Sequence, residues 1–210
     1  MIRPNYTSTF CENPNEGRLP GGHGRYIIIS LYYMIHSFYC KFGSPFPQAA
    51  ANNMIRIEKV TTEGETLQQA KRLLTEYITE LDENLGFQNI TDELENPLLK
   101  YGPPNGSLLV AFYDNQPAGY VGLRPIVAGT STCEMKRLYV RPAFRQLAIG
   151  KALAIAVCEE ARSLGYKKMK LDSLERLRAA VNMYTKLGFT FTQPYNESPL
   201  EGVVYMELDL

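Results

Sequence analysis

The stretch YVRPAFRQLAIGKAL, residues 139–153, decides how the rest of this sequence is interpreted. Its pattern predicts a strand that ends at Val140, a turn that carries two arginines, and a helix that begins near Ile149. Backbone N–H groups converge at the start of a helix, and the helix dipole favours negative charge there. The sequence therefore predicts an anion-binding turn between a strand and a helix.

Three kinds of site compete for this turn. A Walker loop needs Gly, four residues, and then Gly-Lys-Ser/Thr, but Arg145 stands at the first glycine and Ala152 at the hydroxyl position. A dinucleotide-binding GxGxxG motif is absent as well. The pattern that fits is Arg-x-x-Ala-x-Gly, formed by Arg145, Ala148 and Gly150. The structural alternative is an ordinary strand-to-helix turn with solvated arginines.

The chain from Met54 onward shows a regular succession of strand and helix patterns. Hydrophobic periodicity predicts helices at 65–84, 91–100, 149–164 and 175–187, and strands at 54–60, 107–114, 118–126, 133–140, 167–173, 189–193 and 202–210. The segment NQP (115–117) is the predicted turn of a hairpin. Strand 133–140, its crossover helix and strand 167–173 form a right-handed parallel unit. The predicted fold class is therefore α/β with a mixed sheet.

The residues before position 54 are different in kind. No acidic residue occurs from Gly17 to Ile57, and the run YIIISLYYMIHSFY (26–39) is uncharged and rich in aromatic residues. A membrane-spanning helix needs about 20 apolar residues, so this run is not a convincing span. It could be an anchoring segment, an added strand or helix, or a stretch outside the evolved fold. We favour the third and predict that 1–53 is a poorly ordered extension and 54–210 the domain.

Composition excludes several classes of function. A net charge of zero argues against a nucleic-acid partner. The only histidines are His23 and His36, so residues 54–210 contain no Ser-His-Asp or Cys-His site, and we predict no metal site. The four cysteines are widely spaced, which favours reduced thiols in a cytoplasmic protein. We predict that two of them, Cys133 and Cys158, are buried thiols rather than nucleophiles.

Two further segments match a known family together with the turn. LYVRPAFR (138–145) leads into the turn, and MYTKLGF (183–189) follows on a later helix. In these segments the chain resembles the GNAT superfamily of acyl-CoA N-acyltransferases, and the resemblance covers residues 54–210. Members of that superfamily carry the motif Arg/Gln-x-x-Gly-x-Gly/Ala between the fourth strand and the third helix. They carry a Tyr-x-x-x-Gly-Phe segment later in the chain. The resemblance implies a mainly antiparallel mixed sheet, helices on both faces, and a parallel β-α-β unit at the coenzyme A site.

The resemblance also implies acetyl-CoA as co-substrate and assigns residues to it. The pyrophosphate is expected on the backbone of the turn, and the pantetheine arm is expected along the preceding strand. The expected contacts are Leu138, Tyr139, Val140, Arg145, Gln146, Leu147, Ala148, Ile149, Gly150 and Lys151. Ala148 replaces the first glycine of the motif, so we expect somewhat weaker binding.

The apolar residues of the strand before the turn change parity. Cys133 and Met135 share one parity, whereas Leu138 and Val140 share the other. Because side chains alternate along a strand, one face can stay buried only if a β-bulge adds a residue near Lys136–Arg137. The alternative is an edge strand with loosely specified alternation. The resemblance is consistent with a bulge that frees a backbone N–H near Leu138 for the thioester oxygen.

Acetyl transfer to an amine requires that a proton leave the amine and favours one that reaches the departing thiolate. The resemblance implies that Tyr184 is the general acid. Glu134 lies on the strand just before the bulge, close to where the family often has its base, and we predict that it draws the proton from the amine, directly or through water. The structural alternatives are a packed tyrosine and a surface carboxylate paired to Lys136. Many relatives have an asparagine seven residues before the tyrosine, but here that position is Leu177. Leucine has no polar group, so its side chain cannot make the hydrogen bond to the pantetheine arm that asparagine could make.

The sequence leads to an acetyl-CoA-dependent N-acetyltransferase that acts on a primary amine of a small molecule or peptide. The rival hypothesis is a non-catalytic CoA-binding sensor or interaction module, which the substitutions at Ala148 and Leu177 leave open. The acceptor itself is not encoded in any recognisable charge cluster. The sequence also leaves a homodimer open.

Overall fold

The computed structural model describes residues 54–83 and 90–210. The predicted extension 1–53 and its aromatic run 26–39 lie outside the described residues. Within the described ranges the helices are α1 (Glu65–Leu81), α2 (Ile90–Glu95), α3 (Leu98–Tyr101), α4 (Ile149–Ser163) and α5 (Arg178–Lys186). The strands are β1 (Ile55–Val60), β2 (Ser107–Tyr113), β3 (Gln116–Pro125), β4 (Thr132–Val140), β5 (Lys168–Leu174), β6 (Thr190–Phe191) and β7 (Val203–Asp209).

These strands form one mixed sheet in the order β1-β2-β3-β4-β5-β7-β6. Every neighbouring pair is antiparallel except β4 and β5, which are parallel and are joined by α4. The predicted fold class is therefore confirmed, including its single parallel β-α-β unit.

Strand β2 shows that the sheet is covered on both faces. Leu109 and Ala111 pack in a cluster with residues of α4, whereas Leu108, Val110 and Phe112 pack in a second cluster with residues of α1. A strand buried on both sides needs a continuous apolar run, which SLLVAFY supplies. Burial of both parities thus confirms the predicted helices on both faces.

The hairpin turn differs from the predicted NQP segment. Asp114 and Asn115 form the turn, with φ of 48° and 62°, and Gln116 already pairs with Tyr113. A two-residue hairpin turn needs two residues that tolerate positive φ, and Asp-Asn meets that need better than Asn-Gln. Pro117 is accommodated at the start of β3, beside an irregularity in the pairing with β2.

Three other boundaries also differ from the predicted ones. The predicted helix 91–100 is two short helices because Pro97 cannot continue α2, and the Asn96 side chain instead accepts a hydrogen bond from the Leu98 N–H at 3.1 Å. The predicted helix 175–187 begins only at Arg178. The predicted strand 189–193 is reduced to the two residues of β6.

Strand β4 contains the predicted bulge. Lys136 lies opposite Gly122 and Tyr139 lies opposite Tyr120, so β4 takes three steps where β3 takes two. Arg137 lies inside that interval and has a φ of 59°. The extra residue restores a common buried face, since Cys133, Met135, Leu138 and Val140 all pack against the cluster that contains α4. The predicted change of parity is confirmed.

The bulge coincides with a separation of the two parallel strands. Strands β4 and β5 pair only from Thr132 and Lys168 to Glu134 and Lys170. Both strands continue beyond that point, but no further pairing joins them within the described residues. A gap therefore opens in the middle of the sheet, between the bulge and the turn that follows β4.

Candidate active site

A cavity of about 870 Å³, the large cavity, opens beside the unpaired part of β4. Its walls come from the end of α1, the end of β4, the turn 141–148, the start of α4, and α5 with the segment before it. Nine of the ten residues predicted to contact acetyl-CoA line it: Leu138, Tyr139, Val140, Arg145, Gln146, Ala148, Ile149, Gly150 and Lys151. Leu147 does not line the cavity, and it is 39% exposed.

The turn before α4 carries a row of backbone donors. Gln146 and Ala148 have left-handed conformations, with φ of 69° and 60°. Within the described chain, no acceptor meets the N–H groups of Gln146, Leu147 or Ala148, and the hydrogen bond at the helix start runs from the Ala152 N–H to the Ala148 carbonyl at 3.0 Å. The first turn of α4 adds further N–H groups without helical partners. Several donors therefore lie together along the large cavity.

Gly150 tests whether this cavity fits a bound group. A Cβ atom placed on it would meet Val140 Cγ2 at 3.6 Å, Met183 Sδ at 3.7 Å and Leu138 Cδ2 at 3.8 Å. These are ordinary contacts, and all three residues line the large cavity. The fold itself therefore does not require glycine here. A side chain would instead fill space beside the backbone, so the position fits a ligand that lies against the start of α4.

Ion pairs connect the turn to α1. Arg141 donates two hydrogen bonds to Glu76, each of 2.7 Å. Arg145 pairs with Glu80, which also accepts a hydrogen bond from the Tyr139 hydroxyl at 3.1 Å. Arg145, a predicted contact of acetyl-CoA, is thus held by a carboxylate that lines the same cavity.

A second cavity of about 90 Å³, the small cavity, adjoins the first. The two share five lining residues: Tyr77, Leu81, Leu138, Leu177 and Ala180. The rest of the small cavity is formed by β4 around the bulge, the end of β5, and the segment 198–203. Leu177, at the position where many relatives have asparagine, presents an apolar side chain to both cavities.

Tyr184 lines the small cavity from α5. Burial raises the pKa of its phenol, so the hydroxyl stays protonated at neutral pH. Its ring packs edge-to-face on Phe189 at 5.7 Å. No hydrogen bond to its hydroxyl is formed by any described residue, so the proton is free to be donated to a ligand.

Glu134 lies elsewhere. It is 2% exposed and lines neither cavity. Its carboxylate accepts hydrogen bonds of 2.8 Å from both Arg124 and Tyr195, and Lys136 approaches it at 3.4 Å. The structure therefore brings Tyr184 to the cavities and leaves Glu134 one side chain away, behind Lys136.

Asp172 is a residue of the site that the sequence analysis missed. It lines the small cavity from β5, receives Lys136 Nζ on Oδ1 at 2.7 Å and receives Asn196 Nδ2 on Oδ2 at 3.2 Å. Burial raises its pKa, but the charge and hydrogen bond of Lys136 outweigh burial, so the pKa lies below its ordinary value and the carboxylate is ionised. The signal that could have found Asp172 is its position in the predicted topology. It lies near the carboxyl end of β5, which is parallel to β4, and ligands often bind beyond the carboxyl ends of parallel strands.

The bulge is held by a buried ion pair. Arg137 donates to both oxygens of Glu93 in α2, at 2.9 and 3.1 Å, and both residues are less than a tenth exposed. Glu93 also accepts hydrogen bonds from Tyr101 at 2.9 Å and Lys100 at 3.1 Å. Because Arg137 is the residue with left-handed geometry, this pair fixes the backbone that leads to Leu138.

The two described cysteines behave as predicted. Cys133 and Cys158 are free and buried in the cluster that contains α4. Burial raises the pKa of Cys133 to about 12 and that of Cys158 to about 11. A thiol that stays protonated is a poor nucleophile, so neither residue is a candidate for covalent catalysis.

Comparison with known proteins decides the family. The model of the acetyltransferase (GNAT) family matches residues 68–189, more than half of the chain. The chain belongs to the GNAT acetyltransferase family. An uncharacterized N-acetyltransferase of Schizosaccharomyces pombe is 45% identical over 145 residues, which cover 69% of this chain and 88% of that protein. An uncharacterized N-acetyltransferase of Dictyostelium discoideum is 28% identical and covers 73% of this chain and 99% of its own length.

Solved structures of GNAT acetyltransferases share the fold. An acetyltransferase from Streptococcus agalactiae superposes with a TM-score of 0.59 at 18% identity, covering 73% of this chain and 98% of that chain. A Bacillus subtilis acetyltransferase, solved in complex with CoA, has a TM-score of 0.52 at 20% identity and covers 75% of this chain and 99% of that chain. As a GNAT member this chain is an N-acetyltransferase, with acetyl-CoA as the donor that the family implies. Among the described residues, none belongs to a helix with the length and apolarity needed to span a membrane.

Proposed function

We propose that this chain transfers acetyl from acetyl-CoA to a primary amine of a small molecule or peptide, by direct attack of the amine on the thioester. The observation that carries the proposal is the junction of the two cavities at the unpaired edge of β4. One cavity has the dimensions and donors for an extended anionic ligand. The other is small and has polar residues where an acceptor can approach.

The large cavity is the proposed acetyl-CoA site. The backbone N–H groups of 146–151 would hold the pyrophosphate, and the open edge of Leu138 to Val140 would hold the pantetheine arm. The proposal is supported by the donors without partners in the turn and by the space that Gly150 leaves. The solved B. subtilis relative binds CoA.

The proposed chemistry uses few side chains. When bound, acetyl-CoA supplies an acetyl thioester, and transfer replaces its C–S bond by a C–N bond to the acceptor. The Leu138 N–H, next to the bulge, would donate to the carbonyl oxygen as negative charge develops there. Tyr184 would give its proton to the leaving sulfur, a role that its raised pKa and the lack of a hydrogen-bond partner among the described residues support.

The role of Glu134 stays a prediction. Among the described side-chain partners of Glu134, Lys136 is the one that lines the small cavity, so a base function would act by proton relay or by placing that ammonium. A buried carboxylate with three cationic or hydroxyl neighbours is also what a purely structural ion pair looks like.

We further propose that the domain spans 54–210 and that it works in the cytoplasm. The match to the family model ends at residue 189, yet β7 pairs along β5 from Lys168 to Leu174, and β1 pairs along β2. β1 and β7, which lie outside the matched segment in sequence, are therefore part of the same sheet. The free thiols of Cys133 and Cys158 support a reducing compartment.

Thiol release from acetyl-CoA in the presence of a panel of primary amines tests the proposed function. We expect release that depends on both the protein and an amine, with a product heavier by one acetyl group in mass spectrometry. Binding of acetyl-CoA without release for any amine would instead support the sensor or interaction module and refute the enzyme.

A further inference from the structure

The small cavity carries balanced charges. Its charged lining residues, among those described, are Lys136, Arg137 and Asp172. Lys136 lies between Asp172 at 2.7 Å and Glu134 at 3.4 Å, and Glu134 is in turn paired with Arg124. That chain of two cations and two carboxylates sums to zero. A cation alone or an anion alone would therefore find no uncompensated partner there.

Arg137 does not disturb this balance. Its Nε and Nη2 atoms are both directed to the buried carboxylate of Glu93, at 2.9 and 3.1 Å. The guanidinium is thus committed to holding the bulge. The charges available to a ligand in the small cavity are those of Lys136 and Asp172.

Lys136 and Asp172 retain hydrogen-bonding capacity. The Lys136 ammonium has three donors and approaches two carboxylates, which leaves one donor. Each oxygen of Asp172 accepts one hydrogen bond, from Lys136 or from Asn196, so a second lone pair remains on each. The pair can therefore bind one cationic and one anionic group side by side.

The cavity also limits size and polarity. Its volume of about 90 Å³ accommodates a group of only a few heavy atoms. Much of the remaining wall is apolar and includes Leu174, Leu200 and Val203. A long polycation would leave most of its charges without carboxylate partners, and a bulky polar acceptor would meet apolar side chains.

We propose that the acceptor is a small α-amino acid with an apolar side chain, whose ammonium is received by Asp172 and whose carboxylate is received by Lys136. The proposal rests on the proposed acetyl transfer and names the acceptor of that same site. A zwitterion supplies one charge of each sign on adjacent atoms, which matches a balanced pair better than any amine without a carboxylate.

The reaction balances with these groups. The ammonium, held by the ionised Asp172, loses one proton to solvent, and the neutral nitrogen then forms the C–N bond. As the C–S bond breaks, the sulfur takes the Tyr184 proton, and the nitrogen loses a second proton that restores the phenol. The products are an N-acetyl amino acid, the free thiol of CoA and one released proton.

A matched set of acceptors tests the proposal on the intact protein. Thiol release is measured with L-alanine, its methyl ester, ethylamine, trialanine and spermidine, and with L-valine against isobutylamine. We expect kcat/KM for each amino acid to exceed that for its decarboxylated amine at least about tenfold. The ester is a stringent control, because its amine is the more readily deprotonated. Equal or faster turnover of ethylamine, the ester, trialanine or spermidine overturns the proposal.

Variants give an independent test. Lys136→Met combined with Asp172→Asn removes both charges, so no buried charge is left without a partner. We expect the preference for alanine over ethylamine to fall to about one, while acetyl-CoA still raises Tm as in the parent. The matched control Arg162→Met with Glu159→Gln removes a pair on the exposed side of α4 and should keep the preference. An unchanged preference in the cavity variant overturns the proposal.

The two levels of failure are distinguishable. If acetyl-CoA raises Tm but no acceptor releases thiol, the proposed function fails and takes this proposal with it. If amines are acetylated without preference for amino acids, the proposed function stands and only the assignment to Lys136 and Asp172 is wrong.

Discussion

The turn after β4 and the small cavity beside β5 differ in how they are built. The turn offers backbone N–H groups from one continuous stretch, 146–151, so its donors come from local conformation. The small cavity uses side chains from α1, β4, β5, α5 and the segment 198–203, more than a hundred residues apart in sequence. A backbone site can be recognised in the sequence, whereas a site made of distant side chains becomes visible only in the fold.

The bulge in β4 combines local backbone conformation with a side chain from a distant part of the sequence. It is a local feature of β4, but it is held by Glu93 from a different part of the chain. Substitutions in the two regions should therefore have different consequences. Those that break the ion pair at the bulge should cost folding stability, and those in the turn should cost binding with the fold intact.

The largest effect should follow from Glu93→Gln. Loss of the charge leaves Arg137 buried without a full partner, and we expect the free energy of unfolding to fall by about 3–5 kcal/mol in urea denaturation. Glu95→Gln, an exposed change in the same helix, is the control. A loss below about 1 kcal/mol would show that the bulge does not depend on the pair.

The same variant has a pH signature. Burial raises the pKa of Glu93, but hydrogen bonds and charge from Arg137 outweigh burial and hold it below its ordinary value of 4.5. A lowered pKa in the folded state adds stability above pH 4.5 that is lost as the pH falls through the folded value. Parent stability should thus decline in acid more steeply than that of Glu93→Gln.

Gly150→Val should break the turn without breaking the fold. A branched side chain would occupy the space beside the backbone, and we expect acetyl-CoA affinity to fall about 1,000-fold, or roughly 4 kcal/mol. Thermal shift with acetyl-CoA and calorimetry measure this loss. Gly150→Ala is the graded control, and its Tm without ligand should not fall, since the contacts that an added Cβ would make are ordinary. The Tm of the valine variant without ligand is measured alongside, so that loss of binding is separated from loss of fold. Parent-like binding by the valine variant would refute the turn as the acetyl-CoA site.

Tyr184→Phe should separate chemistry from binding. We expect kcat to fall about 100-fold because a proton donor is lost, with the Kd for acetyl-CoA within about threefold of the parent. The packing against Phe189 needs only the ring, so Tm should change little. A variant with parent-like turnover would leave Tyr184 as a core tyrosine.

Ala148→Gly should have a smaller effect than these variants, and the effect should be a gain in affinity for acetyl-CoA. Ala148 has a φ of 60°, a conformation that costs an L-residue about 1 kcal/mol and costs glycine little. This strain is present with or without ligand, so its relief should raise Tm. Affinity for acetyl-CoA should rise about two- to fivefold for a different reason, because removal of the methyl group lets the pyrophosphate approach the backbone more closely. Weaker binding by the glycine variant would mean that the methyl group contributes a contact to the ligand.

Removal of residues 1–53 should have the smallest effect. Acetyl-CoA binding by 54–210 should equal that of the full chain, since every residue assigned to the site lies after Met54. Calorimetry on both proteins compares the affinities. A much lower Tm or loss of binding in the shortened chain would show that the first 53 residues belong to the domain.

The sequence predicted the sheet, the bulge and the turn because each leaves a local trace. The alternation of apolar residues along β4 changes parity around Lys136–Arg137, and the motif from Arg145 to Gly150 lies at a strand-to-helix junction. The position of the Asp114–Asn115 turn was predicted one residue too late, because several neighbouring polar residues could each form a turn. Asp172 was missed for another reason: its importance depends on where β5 separates from β4, and no spacing within KMKLDS records that separation.

The acidic end of α1 has a consequence for how an anionic ligand is captured. Arg141 and Arg145 are paired with Glu76 and Glu80 of α1, and Arg176 is paired with Glu83 just after it, so these three guanidinium groups carry little net field into solvent. Lys151 also lines the large cavity and has no acidic partner among the described residues. Electrostatic steering accelerates association only where such a field is left uncompensated. A ligand with a pyrophosphate would thus be held at short range by oriented N–H dipoles, and among the residues that line the large cavity Lys151 would be the main source of any dependence of its capture rate on ionic strength.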